Sequence, residues 1–253
     1  MNRGPALRHC AILVAMVLVP LVLGQPADAQ ERPDRVILLI GQSNMAGRAA
    51  LEDGDQKPIE RVLLLDEEGK WIAATNPLNR FASDRKNLSM QRIGPGFGFA
   101  SHLAQKLKEE KIGLVVNARG GSSINLWKPG QTLYDHTLAR LKAAGITKVD
   151  GVIWHQGESD AQDPQYLEKL MALVSNLRRD VGTETMPFVA GEVFKDLPVN
   201  ERMRGLPARV KNTAVVSARE LKVFDGVHFD RASQLILGKR YAEALLSMVR
   251  RGK

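Results

Sequence analysis

Cysteine is almost missing from this 253-residue chain, the single one being Cys10. Arg3, Arg8 and His9 open the sequence, Ala11 to Leu23 form an apolar run, and Ala27-Asp28-Ala29 matches a cleavage site, so residues 1–29 read as a signal peptide. Cleavage after Ala29 leaves 224 residues without a thiol, which excludes disulfides and Cys-ligated metals. Long hydrophobic runs are also missing. The leading apolar stretch is 13 residues, short of the ~18–20 that a membrane span needs. Aromatic residues make up only 5% and do not alternate with Lys or Arg, so no nucleic-acid platform is expected despite a net charge of +8. The basic residues are scattered, and Arg178-Arg179 and Arg250-Arg251-Lys253 sit where cations complement helix C-termini. No repeat or linker follows residue 35. Residues 30–253 therefore form one domain, stabilised by its core.

What is present is an alternation of two periods. Short apolar runs at Val36–Ile40, Val62–Leu65, Leu114–Asn117, Gly151–Trp154, Phe188–Ala190 and Ala214–Val216 predict strands. Between them, Phe99 to Glu110, Leu133 to Ala143, Pro164 to Arg179 and Ala232 to Arg250 carry the helical period. In the third, Asp163 is the expected N-cap and Leu167, Leu170, Met171, Val174 and Leu177 the inward face. The pattern predicts an α/β fold with a parallel sheet and helices on both faces. One stretch departs from it. Residues 72 to 98 are long, polar and rich in Pro and Gly, as expected of a substrate-side loop.

The polar clusters fall where strands should end, which is the edge where open α/β sheets bind ligands. Ser43 follows the first strand at once and is either a helix N-cap or an exposed nucleophile. Asp225 and His228 are the partners a nucleophilic serine requires, a base and the carboxylate that fixes its tautomer. Gly120-Gly121 follows the third strand, and Gln156 follows the fourth. The N–H groups of Ser43 and Gly121 with the Gln156 amide could form an oxyanion hole. Glu158 either orients His228 in place of Asp225 or holds the Gly121 loop. His155, Glu158, Asp160 and His228 lack the spacing of a known metal motif, so no catalytic metal is expected. A non-catalytic carbohydrate-binding module would explain exposed Trp71 and Trp127, but not the serine, histidine and aspartate at strand ends.

Taken together, Gly41-Gln42-Ser43-Asn44-Met45-Ala46-Gly47, the Gly-Pro-Gly segment at 94–96, the Gly-Gly turn, Trp154-His155-Gln156-Gly157-Glu158-Ser159-Asp160 and Asp225-Gly226-Val227-His228-Phe229 resemble one group. It is the sialate O-acetylesterase / carbohydrate esterase family 6 branch of the SGNH (GDSL-like) hydrolases. The resemblance implies a three-layer α/β/α sandwich around a five-stranded, flavodoxin-like parallel sheet. It implies a cofactor-free serine esterase acting on O-acetyl groups of acetylated carbohydrates such as xylan or sialic acids. Ser43 would be the nucleophile, His228 the base and Asp225 its partner, with Gly121 and Gln156 in the oxyanion hole. Glu158 has also been assigned the acid in this branch. Gln42, Asn44, Trp127 and His155 are the expected substrate contacts. A lipase or thioesterase of the same fold is the alternative enzyme. The leader implies an exported protein with no lasting membrane association.

Overall fold

The computed structural model describes residue 1, residues 31–84 and residues 87–251, with the side chain of Arg251 left aside. Apart from Met1, the expected leader lies outside the described residues. Seven strands form one sheet: β1 (Arg35–Gly41), β2 (Val62–Leu65), β3 (Trp71–Ala73), β4 (Ile112–Ala118), β5 (Gly151–His155), β6 (Phe188–Gly191) and β7 (Thr213–Val216), in the order β3-β2-β4-β1-β5-β6-β7. The expected five parallel strands are there as β4-β1-β5-β6-β7. The expected count of five is nonetheless too low. β2 pairs parallel beyond β4, and β3 closes that edge antiparallel.

The run of β1 is buried on both sides, so its alternation decides which layer each side chain enters. Ile37 and Leu39 join one core with Phe99 and Leu103 of α2 (Pro95–Lys106) and Leu237, Tyr241 and Leu245 of α7 (Arg231–Arg251). Leu38 and Ile40 join the other, with Leu133 of α3 (Thr132–Ala143) and Leu170, Val174 and Leu177 of α4 (Tyr166–Asp180). That is the α/β/α sandwich. Two short helices before β7, α5 (Pro198–Arg204) and α6 (Leu206–Arg209), add to the second layer.

α4 begins two residues later than Pro164. Asp163 spends its side chain on Gln165 N (2.9 Å) and Lys169 Nζ (2.7 Å), which builds a turn ahead of the helix. The buried stripe is accordingly Tyr166, Leu170, Leu173, Val174 and Leu177, with Leu167 and Met171 on its flank.

Register sets up the site. Gly41 lies opposite Ala118 on one side and His155 on the other, so the segments after β1, β4 and β5 leave the sheet at one level. Only glycine fits at 41. Its φ is +142°, and a Cβ there would sit 2.1 Å from the His155 carbonyl oxygen.

Candidate active site

β1 runs straight into α1 (Ser43–Ala46), a single buried turn. Ser43 heads that turn, so its N–H is one the helix cannot bond to itself. His228 arrives from the segment between β7 and α7. Its position is set by an aspartate turn, in which Asp225 Oδ1 accepts the N–H groups of Val227 (3.1 Å) and His228 (2.8 Å). Asp225 Oδ2 then faces His228 Nδ1 at 2.7 Å, and His228 Nε2 faces Ser43 Oγ at 2.9 Å. An ionised Asp225 can only accept, so Nδ1 carries the proton and Nε2 presents its lone pair to the serine hydroxyl. Partial burial pushes the Asp225 carboxyl up, but the bonds from the His228 ring and the two amides outweigh it and bring it down to about 2. Phe224 stacks on the outer face of the imidazole at 6.1 Å.

Asn44 ties this segment to the nucleophile's turn. Its Oδ1 accepts Phe229 N (3.0 Å) and Gln234 Nε2 (3.1 Å), and its Nδ2 donates to Glu158 Oε1 (2.7 Å) and Val227 O (3.3 Å). Gly120 and Gly121 close the other side of Ser43. A Cβ on Gly120 would lie 3.6 Å from Ser43 Cβ and 2.6 Å from Arg48 Nη2, while Gly121 sits at φ +68°. These groups line a cleft of about 540 Å³. The 72–98 stretch supplies another wall through Asn79, Asp84, Asn87, Met90 and Gln91, in keeping with a substrate-side loop. Asn79 is clamped to β4 by exchanging two 2.9 Å bonds with the Ala118 backbone, and Asp84 pairs with Arg119 at 2.7 Å.

Several expected contacts lie elsewhere. Gln156 is fully buried. Its Nε2 donates to Ser122 O and Asp160, and its Oε1 accepts from Tyr166, so its amide is used up behind the Gly120-Gly121 loop and offers nothing to an oxyanion. Trp127 is buried edge-on against Trp154, with ring centroids 5.4 Å apart. Trp71 packs its ring over Gly113. The carbohydrate-platform alternative therefore has no exposed indole at 127. His155 is buried beneath the site and bonds Tyr241 at 2.9 Å. Asn44 is buried too, which leaves Gln42 as the expected substrate contact that lines the cleft. Asp160 binds Ser123 Oγ (2.6 Å) and Ile124 N (2.7 Å), away from His228, so the four candidate metal ligands do not converge. Arg48 was not foreseen. It follows the Gly41–Gly47 run with no spacing signal, yet its half-buried guanidinium reaches into the cleft.

A family model described as carbohydrate esterase, sialic acid-specific acetylesterase, matches residues 33–247. The chain belongs to this family. Membership makes it a carboxylic ester hydrolase of the carbohydrate esterase kind. A probable carbohydrate esterase of Arabidopsis thaliana is 30% identical over 245 residues, covering 85% of this chain and 91% of the relative. The crystal structure of an Arabidopsis thaliana protein superimposes with a TM-score of 0.76 at 27% identity, covering 85% of this chain and 99% of the other. NanS shares the fold at a TM-score of 0.64 and 19% identity, over 87% of this chain and 99% of its own. A carbohydrate acetylesterase from Xanthomonas citri does so at 0.63 and 21%, over 87% of this chain and 57% of its own. Within this acetylesterase, the family segments at 41–47, 120–121 and 225–229 meet around one hydroxyl, and the segment at 154–160 supports them from beneath.

Proposed function

We propose that the protein removes acetyl groups from sugar hydroxyls through a covalent acetyl-serine intermediate. The chain of contacts from Asp225 through His228 to Ser43, at 2.7 and 2.9 Å, is the observation that carries this reading. His228 Nε2 takes the proton of Ser43 Oγ as the oxygen attacks the acetyl carbonyl carbon. The resulting oxyanion is held by the N–H groups of Ser43 and Gly121, each worth about 2.7–4 kcal/mol of transition-state stabilisation. Collapse breaks the bond to the sugar oxygen, which leaves with the proton from Nε2. Water then gives a proton to Nε2 and attacks the acetyl carbon, and Ser43 Oγ regains that proton as acetate departs.

Most residues of the cleft wall are polar or glycine, and its apolar members, Ala46, Met90 and Val227, are scattered among them and form no continuous acyl channel, which suits a sugar and a short acyl group better than a long chain. Arg48 favours an acidic sugar. Its Nη1 donates to Gly47 O (2.8 Å) and Met90 O (3.4 Å), while among the described residues no carboxylate lies within ion-pair distance. A substrate carboxylate would give that guanidinium the charged partner the protein does not. The leader read in residues 1–29 supports export, with a mature N-terminus at Gln30. The test is acetate release from acetylated xylan and from an O-acetylated sialic acid, with Ser43→Ala as the control. Mass spectrometry of acid-quenched enzyme should find an acetyl adduct on Ser43. Acetate release by the Ser43→Ala protein at the wild-type rate would overturn the proposal.

A further inference from the structure

Beneath the Ser43 turn lies a set of buried groups that the reaction as written does not use. Tyr241 donates its only hydroxyl proton to Trp154 O at 2.9 Å, so His155 Nδ1, 2.9 Å from that hydroxyl, must itself be the donor. His155 Nε2 is then a bare acceptor. It points toward Glu158 Oε1, 3.8 Å away, and both Nε2 and Glu158 Oε2 are buried with no hydrogen-bond partner among the described residues. Three acceptor atoms thus share the Asn44 amide at 2.7 Å, with the backbone N–H of Glu158 as the other donor beside the carboxyl group. Unpaired buried acceptors cost about 1–3 kcal/mol each, and one added proton relieves the cluster.

We propose that Glu158 is a protonated carboxylic acid that accepts from Asn44 and donates to His155 Nε2, a positioning residue and not the acid partner of His228. Rotation about the last side-chain bond keeps Oε1 on Asn44 and turns the partnerless Oε2, the oxygen that carries the proton, toward Nε2, which already lies 3.8 Å from the carboxyl group. The groups that feel its charge are Tyr166 on α4, Tyr241 on α7 and His228 above it. Burial pushes the Glu158 carboxyl up, against the opposing pull of the Asn44 bond, of its own backbone N–H and of His228, and burial also holds His155 down to about 3. Neutrality also serves the chemistry. Glu158 lines the same cleft as Ser43, and an anion there would repel the developing oxyanion. Asn44, steadied by this acid, fixes Val227 O and Phe229 N on either side of His228.

The kinetic part of this inference rests on the esterase reading; the protonation does not, and the experiment separates the two. Infrared spectra in D2O near neutral pH should contain a protonated-carboxyl band that disappears in Glu158→Gln, and 15N spectra should give the Nδ1–H tautomer of His155. In acetyl-ester assays, Glu158→Ala should lower kcat about 10–100-fold through a displaced His228, and Glu158→Gln, which can accept from Asn44 and donate to His155, should recover most of it. A Gln variant no better than Ala, an ionised Glu158 at neutral pH, or an Nε2–H tautomer of His155 would each overturn the proposal. Should the wild type release no acetate at all, the spectra still decide the protonation.

Discussion

Replacing Asp225 by asparagine should damage the enzyme more than replacing it by alanine, and the turn around residue 225 explains why. Oδ1 is committed to two backbone N–H groups, at 2.8 and 3.1 Å. An asparagine must keep its carbonyl oxygen there, since an amide NH2 in that place would meet two donors. Its Nδ2 then points at His228 Nδ1 and forces the lone pair onto that nitrogen. The proton moves to Nε2, which faces Ser43 Oγ at 2.9 Å and can no longer accept from it. A wrong tautomer of this kind costs about 10⁴ in kcat, or about 5.4 kcal/mol. Alanine leaves room for water, which supports either tautomer, and because the Asp225 side chain is 41% exposed that room is wet. The alanine variant should therefore fall only about 10²–10³-fold, in line with one lost general-base orienter. The assay is kcat for p-nitrophenyl acetate at neutral pH on variants of matched melting temperature. An asparagine variant within tenfold of wild type, or one more active than the alanine variant, would refute the reasoning.

Four further outcomes are expected. Ser43→Ala should abolish turnover of p-nitrophenyl acetate and leave the melting temperature nearly unchanged, as calorimetry would register. Arg48→Ala should raise KM for an acetylated acidic sugar at least tenfold and change KM for acetylated xylo-oligosaccharides little, because only the former brings an anion to that guanidinium. Gln156→Leu strands Ser122 O and takes one of three donors from Asp160, while the Tyr166 hydroxyl keeps the residue 156 carbonyl at 2.7 Å, so denaturant unfolding should register a loss of about 1–3 kcal/mol, while kcat of the folded protein falls less than tenfold. His155, held down to about 3 from 6.5, gives stability a pH dependence. The unfolded chain binds a proton there below about pH 6.5 and the folded protein only near pH 3, so unfolding free energy should drop as the pH falls through that window, by at most about 5 kcal/mol. Denaturant titrations of His155→Gln should give a flatter profile.

The strands with long apolar runs were legible from residue type, because burial on both faces leaves no polar positions to confuse the period. β3 was not: three residues closed against β2 by a hairpin give no period, and its tryptophan reads as an exposed ring until Gly113 is seen to make room for it. Ser43 and Gly121 were legible because each closely follows a strand, while Asp225 and His228, nine and twelve residues beyond β7, were legible from residue type and from the partners a nucleophilic serine requires. Gln156 shows the limit of that logic. It stands at the right strand end, but whether its amide faces the cleft or the interior depends on Tyr166 and Asp160, whose orientation is a tertiary matter. Arg48, Asn79 and Asp84 reach the cleft through an irregular segment, where no periodicity exists to be read.

β7, which leads to the base, is the outermost strand on its side of the sheet, three places from the strand that delivers the nucleophile. Breathing of that margin would normally open and close the distance between oxygen and imidazole. Asn44, adjacent in sequence to the nucleophile, grips the backbone just before and just after the base. The two reacting groups therefore ride together when the margin moves, and the proton-transfer distance is governed by one amide side chain and not by the sheet's elasticity.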